Sequence, residues 1–434
     1  MELLLHVPVT VKVGLMFAAI LGLNRLGVPL AFAVIASAIG LVAWSGAGLA
    51  GIGWQIRECL DVANLLMLLV ILLLLFFTEA LRVSGRIPRT VEALRGWLNR
   101  PRLLLAGLPA LIGLLPMPGG ALVSAPMVAS VAPESDLAPE HKIAINYWFR
   151  HIWEYWWPLY PGVVLALRYS GLPVGAFYLL QAPFTLAAVA GGIVFLLRGG
   201  SFRASESTGE ALNVRAIAAA LWPIATLVAV SIVGAALMRR TEGLGDAANL
   251  WGMLLALLVA LTLVFLRAPQ AVLPSMAMFR RWKMWSVVLV VAGVQLFSAA
   301  LAVPLSDGGG TLVSAMADEL AAFGIPTVVV MAVIPFVAGL VTGVAVGFVG
   351  VSFPLVFGIL GQEAGFAELA ATTALAYGCG YAGMMLSPIH ICFVVTGEYF
   401  KAPIAAAYRY LAGPLLLVAA TAVVLSTVYR LLGA

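Results

Sequence analysis

Charge is what this sequence has least of. Only 10% of its 434 residues are Asp, Glu, Lys or Arg, against roughly a quarter in soluble proteins. A soluble core of this length could not hide the 63% of residues that are hydrophobic, so lipid must solvate much of the chain. Polar stretches are scarce as well, none exceeding about twenty residues, which leaves no room for a sizeable soluble domain. The cysteines number three, Cys59, Cys379 and Cys392, too few and too scattered for a disulfide framework or a thiolate metal site. There is no Walker A loop, no His-Glu-x-x-His stretch and no Gly-x-Ser-x-Gly elbow. ATP drive is thereby disfavoured, and a membrane enzyme or lipid-handling protein becomes the weaker class. Such a protein would need a lateral opening to lipid and a polar constellation around one cavity. No segment carries arginine at every third position, which excludes a voltage sensor.

What the chain does have is a series of apolar segments. They fall at 8–24, 28–46, 62–81, 103–132, 142–167 and 172–197, then at 214–237, 248–266, 285–303, 326–360, 367–396 and 403–430. The run from Val62 to Thr78 has Asn64 and Thr78 as its only polar side chains. At about 1.5 Å per residue, a helix of about twenty residues crosses the roughly 30 Å hydrocarbon layer. The first stretch, Met1 to Gly22, has neither a basic n-region nor a small-residue cleavage site, so it reads as the first helix. Segments 103–132 and 326–360 are too long for one crossing. The first is broken by Pro116-Met-Pro118-Gly119-Gly120 and the second around Gly339 to Gly350.

Basic residues decide how these long segments are counted. With both as re-entrant hairpins there are ten crossings and both termini lie outside. Inside loops then hold sixteen Lys and Arg, from Arg25 through Arg82 and Arg281 to Lys401, and outside loops hold six. The acidic, Lys/Arg-free stretch from Pro304 to Pro326 also falls outside. Because the net charge of +5 is spread over loops and not gathered in one patch, it points to topology and away from nucleic acid. Five crossings per half is an odd number, so the second half lies upside down relative to the first. Inverted repeats of this kind characterise secondary transporters.

The residues repeat as well. The only Ser-x-Pro triplets are Ser124-Ala-Pro126 and Ser352-Phe-Pro354, each with a glycine five residues before the serine, Gly119 and Gly347. Pro158 follows Pro126 by 32 residues, and Pro388 follows Pro354 by 34. Non-helical backbone at membrane depth survives only where protein buries it or a water-filled cavity faces it. Pro118, Gly119, Gly120, Ser124, Pro126, Gly347, Gly350, Ser352, Pro354 and Ser387 are therefore candidate substrate or ion contacts. Helix starts there would attract anions, and unwound carbonyls would attract cations. A plain structural reading, with Gly and Pro serving only to kink or pack helices, competes with this one.

Segment 142–167 carries polar groups that lipid should exclude: Asn146, Tyr147, Arg150, His151 and Glu154 among four tryptophans. Such groups face an interior or a water path. The spacing of Asn146, Arg150 and Glu154 puts them on one face of a continuous helix. Arg150 either pairs with Glu154 or holds an anionic group with its planar fork. His151, Glu154 and His390 are candidate proton carriers, because histidine titrates near neutral pH. The competing view is a structural ion pair with the tryptophans as an interfacial belt.

The stretches Leu115-Pro-Met-Pro-Gly-Gly-Ala-Leu-Val-Ser-Ala-Pro126 and Asn146-Tyr-Trp-Phe-Arg-His-Ile-Trp-Glu-Tyr-Trp-Trp-Pro158 resemble the predicted permeases of the domain-of-unknown-function 401 family. The resemblance covers most of the chain. That family is grouped with the ion transporter superfamily of gluconate, citrate and dicarboxylate carriers and some sodium/proton antiporters. It implies two repeats with hairpins and discontinuous helices, and an elevator-like transport domain on a scaffold in a homodimer. The Ser-Asn-Thr motifs of dicarboxylate carriers are absent here, so sodium ligation and dicarboxylate specificity are not carried over.

The expectation is an all-α polytopic inner-membrane protein with about ten transmembrane helices, two re-entrant hairpins and discontinuous helices. Residues 1–200 form the first repeat, 201–213 a cytoplasmic linker and 214–434 the second, inverted repeat. Its function is ion-coupled transport of a small organic anion, with H+ or Na+ as coupling ion, no other cofactor, and lipid as its surroundings. A cation/proton antiporter with Glu154 as the ion-binding acid is the alternative. The topology has a direct test. Single cysteines placed in 201–213 should react with an impermeant maleimide only in inverted vesicles, and one at Asp318 only in intact cells. The opposite pattern would overturn the orientation with both termini outside.

Overall fold

A computed structural model describes residues 7–85, 101–114, 120–132, 137–198, 214–241, 243–244, 247–305, 310–361 and 363–433. Pro118, Gly119 and the 201–213 linker lie outside these. Among the described residues the chain is helical throughout, with no strand beyond one isolated bridge between Pro304 and Thr311.

The first half contains α1 (Val9–Arg25), α2 (Leu30–Ser45), α3 (Gly48–Cys59), α4 (Val62–Val83), α5 (Pro101–Gly113), α6 (Ala121–Val131), α7 (Pro139–Arg150), α8 (Pro161–Ser170) and α9 (Val174–Gly191). The second contains α10 (Val214–Met238), α11 (Ala248–Arg267), α12 (Trp282–Leu301), α13 (Leu312–Ala322), α14 (Thr327–Thr342), α15 (Ala345–Leu360), α16 (Phe366–Leu386), α17 (Ile391–Phe400) and α18 (Ile404–Leu432). Helix starts follow local chemistry. Pro8, Pro29, Pro173, Pro326 and Pro403 each immediately precede a helix, and Pro139 and Pro161 occupy first-turn positions where no N–H is needed. Asp61 caps α4 by accepting from Ala63 N. The α1 start is capped from the other half of the chain, where the Glu319 carboxylate accepts from Val9 N and Thr10 N at 2.8 and 2.7 Å.

Seven of the described helical stretches are long and apolar enough to cross a membrane, so the chain is a multi-pass membrane protein. They are α4, α9 with its π-helical extension Gly192–Leu196, the Leu221–Met238 part of α10, α11, α12, the α16–α17 stretch and α18. The α13–α14 pair is apolar too but bent by 119°. The 8–24 and 28–46 segments become apolar helices of 17 and 16 residues, shorter than the seven, and the 142–167 segment, expected as a broken helix, is interrupted for ten residues between α7 and α8. The amphipathic α3 and the acidic-stretch helix α13 were not expected, because both are too short and too polar to register as apolar segments.

Packing comes in matched pairs. α1 lies on α2 as α10 lies on α11, and α2 meets α12 as α11 meets α4. α5 packs on α7 as α14 packs on α16. Crossing over, α6 meets α17 and α15 meets α8, while α9 and α18 pack on each other. Glycine makes the central contacts possible. A Cβ on Gly113 would stand 2.0 Å from the Arg150 carbonyl oxygen, one on Gly339 would stand 2.1 Å from that of Gly380, and one on Gly383 would stand 2.0 Å from that of Phe336. Backbone cannot yield as a flexible side chain does. Gly339→Ala and Gly383→Ala should therefore each destabilise the protein by about 1–3 kcal/mol, seen as a lower unfolding midpoint in detergent. Gly14→Ala, where nothing lies within 4 Å of the added atom, should leave the midpoint unchanged or slightly higher.

Candidate functional site

Two helices lose their hydrogen-bond ladder in the middle of the apolar region. α7 stops at Arg150 and α8 starts at Pro161; α16 stops at Leu386 and α17 starts at Ile391. Each gap contains a proline, Pro158 or Pro388, that lacks an N–H and clashes with the carbonyl four residues back. This corrects the single-face expectation. Asn146 and Arg150 share α7, but Glu154 lies in the turns beyond it.

Carbonyls freed by the breaks need donors, because lipid supplies none. In the first gap, Tyr381 donates to the His151 carbonyl at 3.2 Å, Thr185 to that of Ile152 at 2.7 Å, and Tyr377 to that of Glu154. The same gap caps the end of α5 in return. Trp153 donates to Ala110 and Trp157 to Leu114, each at 2.8 Å, and Tyr160 donates to Gly113. At the second gap, Tyr147 donates to Met385 at 3.2 Å and Tyr408 to Leu386 at 3.0 Å. The tryptophans are therefore no interfacial belt. Trp148 is fully buried, with its indole donating to Ala188 at 2.8 Å, and Trp156 donates to Thr185 Oγ1 at 2.9 Å.

The polar side chains of the two gaps meet. His151 Nε2 lies 3.1 Å from His390 Nε2, and the rings cross at 86° with Tyr147 edge-on to both. Glu154 Oε1 is 3.8 Å from His151 Nε2, and Tyr160 lies beside its carboxyl. Arg150 Nη1 reaches Cys392 Sγ at 2.6 Å, and the guanidinium lies over Gly120, where a Cβ would stand 2.5 Å from Nη2. Asn146 donates to Thr396 Oγ1 at 2.9 Å, and its Oδ1 is buried with no hydrogen-bond partner among the described residues. Ser387 is buried in the same condition. Gly343, at φ +63° between α14 and α15, approaches it so closely that a Cβ would stand 2.9 Å from Oγ.

The two matched serines behave differently from the gap residues. Ser124 and Ser352 are fully buried in α6 and α15, beside Pro126 and Pro354, and each donates to the carbonyl one turn back, Gly120 or Phe348. Gly347 faces Thr342 across the hairpin turn, and Gly350 packs on Val294 of α12. The structure thus gathers Gly120, Asn146, Arg150, His151, Glu154, Ser387 and His390, while Ser124 and Ser352 spend their protons inside their own helices. Cys392, Thr396 and Tyr381 were missed by sequence reasoning. The one available signal for Cys392 was its place two residues after His390 at a half-helix start.

Electrostatically the site is positive. Two helix starts lie against the Arg150 guanidinium, α6 at Gly120 and α17 at Cys392, while the starts of α8 and α15 touch each other where Gly162 meets Ala345 and Val346. Each helix start carries about half a positive charge and unpaired N–H groups. His151, His390 and Cys392 bring three donor atoms within 4.8 Å of one another and are the residues that could hold a soft metal ion. Arg150 bound to the sulfur works against a cation there. A separate cavity of about 340 Å³ lies between α4, α8 and α12, lined by Glu58, Asn64, Arg168, Tyr169, Gln295 and Ser298.

The chain matches the family described as protein of unknown function (DUF401) over residues 12–430, and it belongs to that family. Among curated proteins, none matches it. The caps around the first gap can be tested one at a time. Tyr377→Phe strands the buried Glu154 carbonyl and should cost about 1–3 kcal/mol. Tyr381→Phe leaves the His151 carbonyl its bond from Glu154 N and should cost less, about 0.5–1.5 kcal/mol. Both are measured as a reduced unfolding midpoint in detergent. Little change would mean that water or another donor reaches these carbonyls.

Proposed function

We propose that this protein is an ion-coupled secondary transporter of a small organic anion. The observation that carries the reading is a buried guanidinium between two broken helices with two half-helix starts beside it, that of α6 at Gly120 and that of α17 at Cys392. Aligned N–H groups and a planar cationic fork suit a carboxylate. Irregular backbone at membrane depth suits a site that must open to water.

In this reading residues 1–200 and 214–434 are inverted repeats. The matched pairings of α5 with α7 and α14 with α16, and the crossed pairings of α6 with α17 and α15 with α8, support it. α5–α6 and α14–α15 are then the re-entrant hairpins, and with the broken helices they form the moving body of an elevator. The α1–α2 and α10–α11 pairs form the scaffold and the homodimer contact, in the manner of the ion transporter superfamily. The cavity between α4, α8 and α12 lies where a moving body would slide on such a scaffold, so it serves as a route to the site. The protein sits in the inner membrane with both termini outside, and the coupling ion is a proton or sodium. The cation/proton antiporter alternative is disfavoured by Arg150 close to Glu154, and a membrane enzyme by the lack of a His-Glu-x-x-His or Gly-x-Ser-x-Gly motif.

Purified protein in liposomes, offered radiolabelled small carboxylates under imposed proton and sodium gradients, tests this. At least one carboxylate should accumulate. Arg150→Ala should abolish uptake, and Arg150→Lys, which keeps the charge and loses the fork, should weaken half-saturation about tenfold. No carboxylate movement by the native protein, with sodium instead driving an internal pH change, would replace this reading with the antiporter.

A further inference from the structure

We infer that the coupling ion is a proton, held jointly by His151 and His390 as one hydrogen-bonded pair that joins the two helix gaps. The inference rests on the transporter reading and names its driving ion.

The donor atoms narrow the choice of ion. Hard cations need a cage of oxygen ligands, whereas the closest convergent atoms here are two imidazole nitrogens 3.1 Å apart with a cysteine sulfur beyond. That separation is a hydrogen-bond length. Geometry also places the hydrogens. His151 Nδ1 is 2.6 Å from the Tyr147 carbonyl, which can only accept, so Nδ1 carries the hydrogen. The Nε2 of neutral His151 is therefore bare, and the bond between the rings takes its hydrogen from His390 Nε2. That leaves the lone pair on His390 Nδ1, which is buried with no hydrogen-bond partner among the described residues, while the Met384 carbonyl beside the ring can accept from the protonated form.

An added proton binds that lone pair. His390 becomes an imidazolium hydrogen-bonded to His151, and passing the shared hydrogen from His390 Nε2 to His151 Nε2 moves the charge into the other half. There it stands 3.8 Å from Glu154 Oε1. No covalent bond other than N–H changes, and one positive charge enters for each proton. The titratable and charged groups facing the pair are Tyr147 and Arg150 on α7, Glu154 in the first gap, Tyr160 before α8, Tyr381 on α16, Cys392 on α17 and Tyr408 on α18. Glu154 is the one carboxyl among them. A second positive charge beside Arg150 is unfavourable alone and favourable with an anion on the guanidinium. Proton and anion therefore bind each other's loaded form more tightly, and the linkage is reciprocal.

The chain has only four histidines, His6, His141, His151 and His390, so isotope-labelled histidine in nanodiscs gives a spectrum that can be assigned by substitution. The expected result is a through-hydrogen-bond coupling between one nitrogen of His151 and one of His390, with the pair gaining a single proton as one unit. In His151→Gln the coupling should vanish and the His390 titration should move, while His6 and His141 stay unchanged. Independent titration of the two rings in the native protein overturns the inference, as does a spectrum that a metal chelator converts. In liposomes, using whichever carboxylate moves, native protein should accumulate it about tenfold per unit of pH gradient for one proton per anion. His390→Gln should lose that accumulation. Sodium-driven accumulation, or acid-driven accumulation surviving in His390→Gln, sinks the proton pair and leaves the anion carrier standing. Absence of any carboxylate flux sinks the anion carrier, while the spectrum of the native protein still decides the pair.

Discussion

A backbone carbonyl that leaves a helix inside a membrane must find a donor within the protein, and most of the centre of this molecule answers that requirement. The gap between α7 and α8 frees carbonyls at Ile152 and Glu154, which are taken by Thr185 and Tyr377, and Tyr381 adds a second donor to the His151 carbonyl already bonded by Glu154 N. The aromatic density of that segment follows from the same rule. Trp153, Trp157 and Tyr160 present N–H and O–H groups to carbonyls at the end of α5. Each irregular stretch thus supplies the donors for another, and neither could stand in lipid alone.

Close backbone approach is the second condition. Trp153, Trp157 and Tyr160 reach their carbonyls where α5 lies directly on the end of α7 at Gly113, and α14 lies equally close on α16 at Gly339 and Gly383. Small residues substitute here for the hydrophobic drive that lipid removes between helices. Gly120 serves a related purpose. Its missing Cβ leaves room for the Arg150 guanidinium, which brings the start of α6 and the start of α17, through Cys392, to one charged group.

Charge then separates into two kinds. Ion pairs at the rim, such as Arg82 with Glu79 and Arg409 with Glu140, have one exposed partner and contribute little beyond orientation. The buried set of Arg150, His151, Glu154 and His390 is costly to desolvate, so its retention is better explained by function than by stability.

The sequence by itself determined the membrane class, the family, the positions of nearly all the apolar helices and the two places where helices break. Composition, run length and the proline-glycine pattern are local properties, legible without a fold. It also marked Arg150, His151 and Glu154 as misplaced for lipid, since that judgement needs only residue type and surroundings. Tertiary structure alone decided who meets whom. The helix ends at Arg150, before Glu154, so periodicity could not place that carboxyl. His390 stands 239 residues from His151, and only the docking of α17 against α7 makes them a pair. Ser124 and Ser352, matched in the sequence, turn their hydroxyl protons inward because a buried serine in an unbroken helix finds its nearest acceptor one turn back. Spacing along a chain reports neighbours within a helix, whereas contacts across a helix break depend on how separate elements pack.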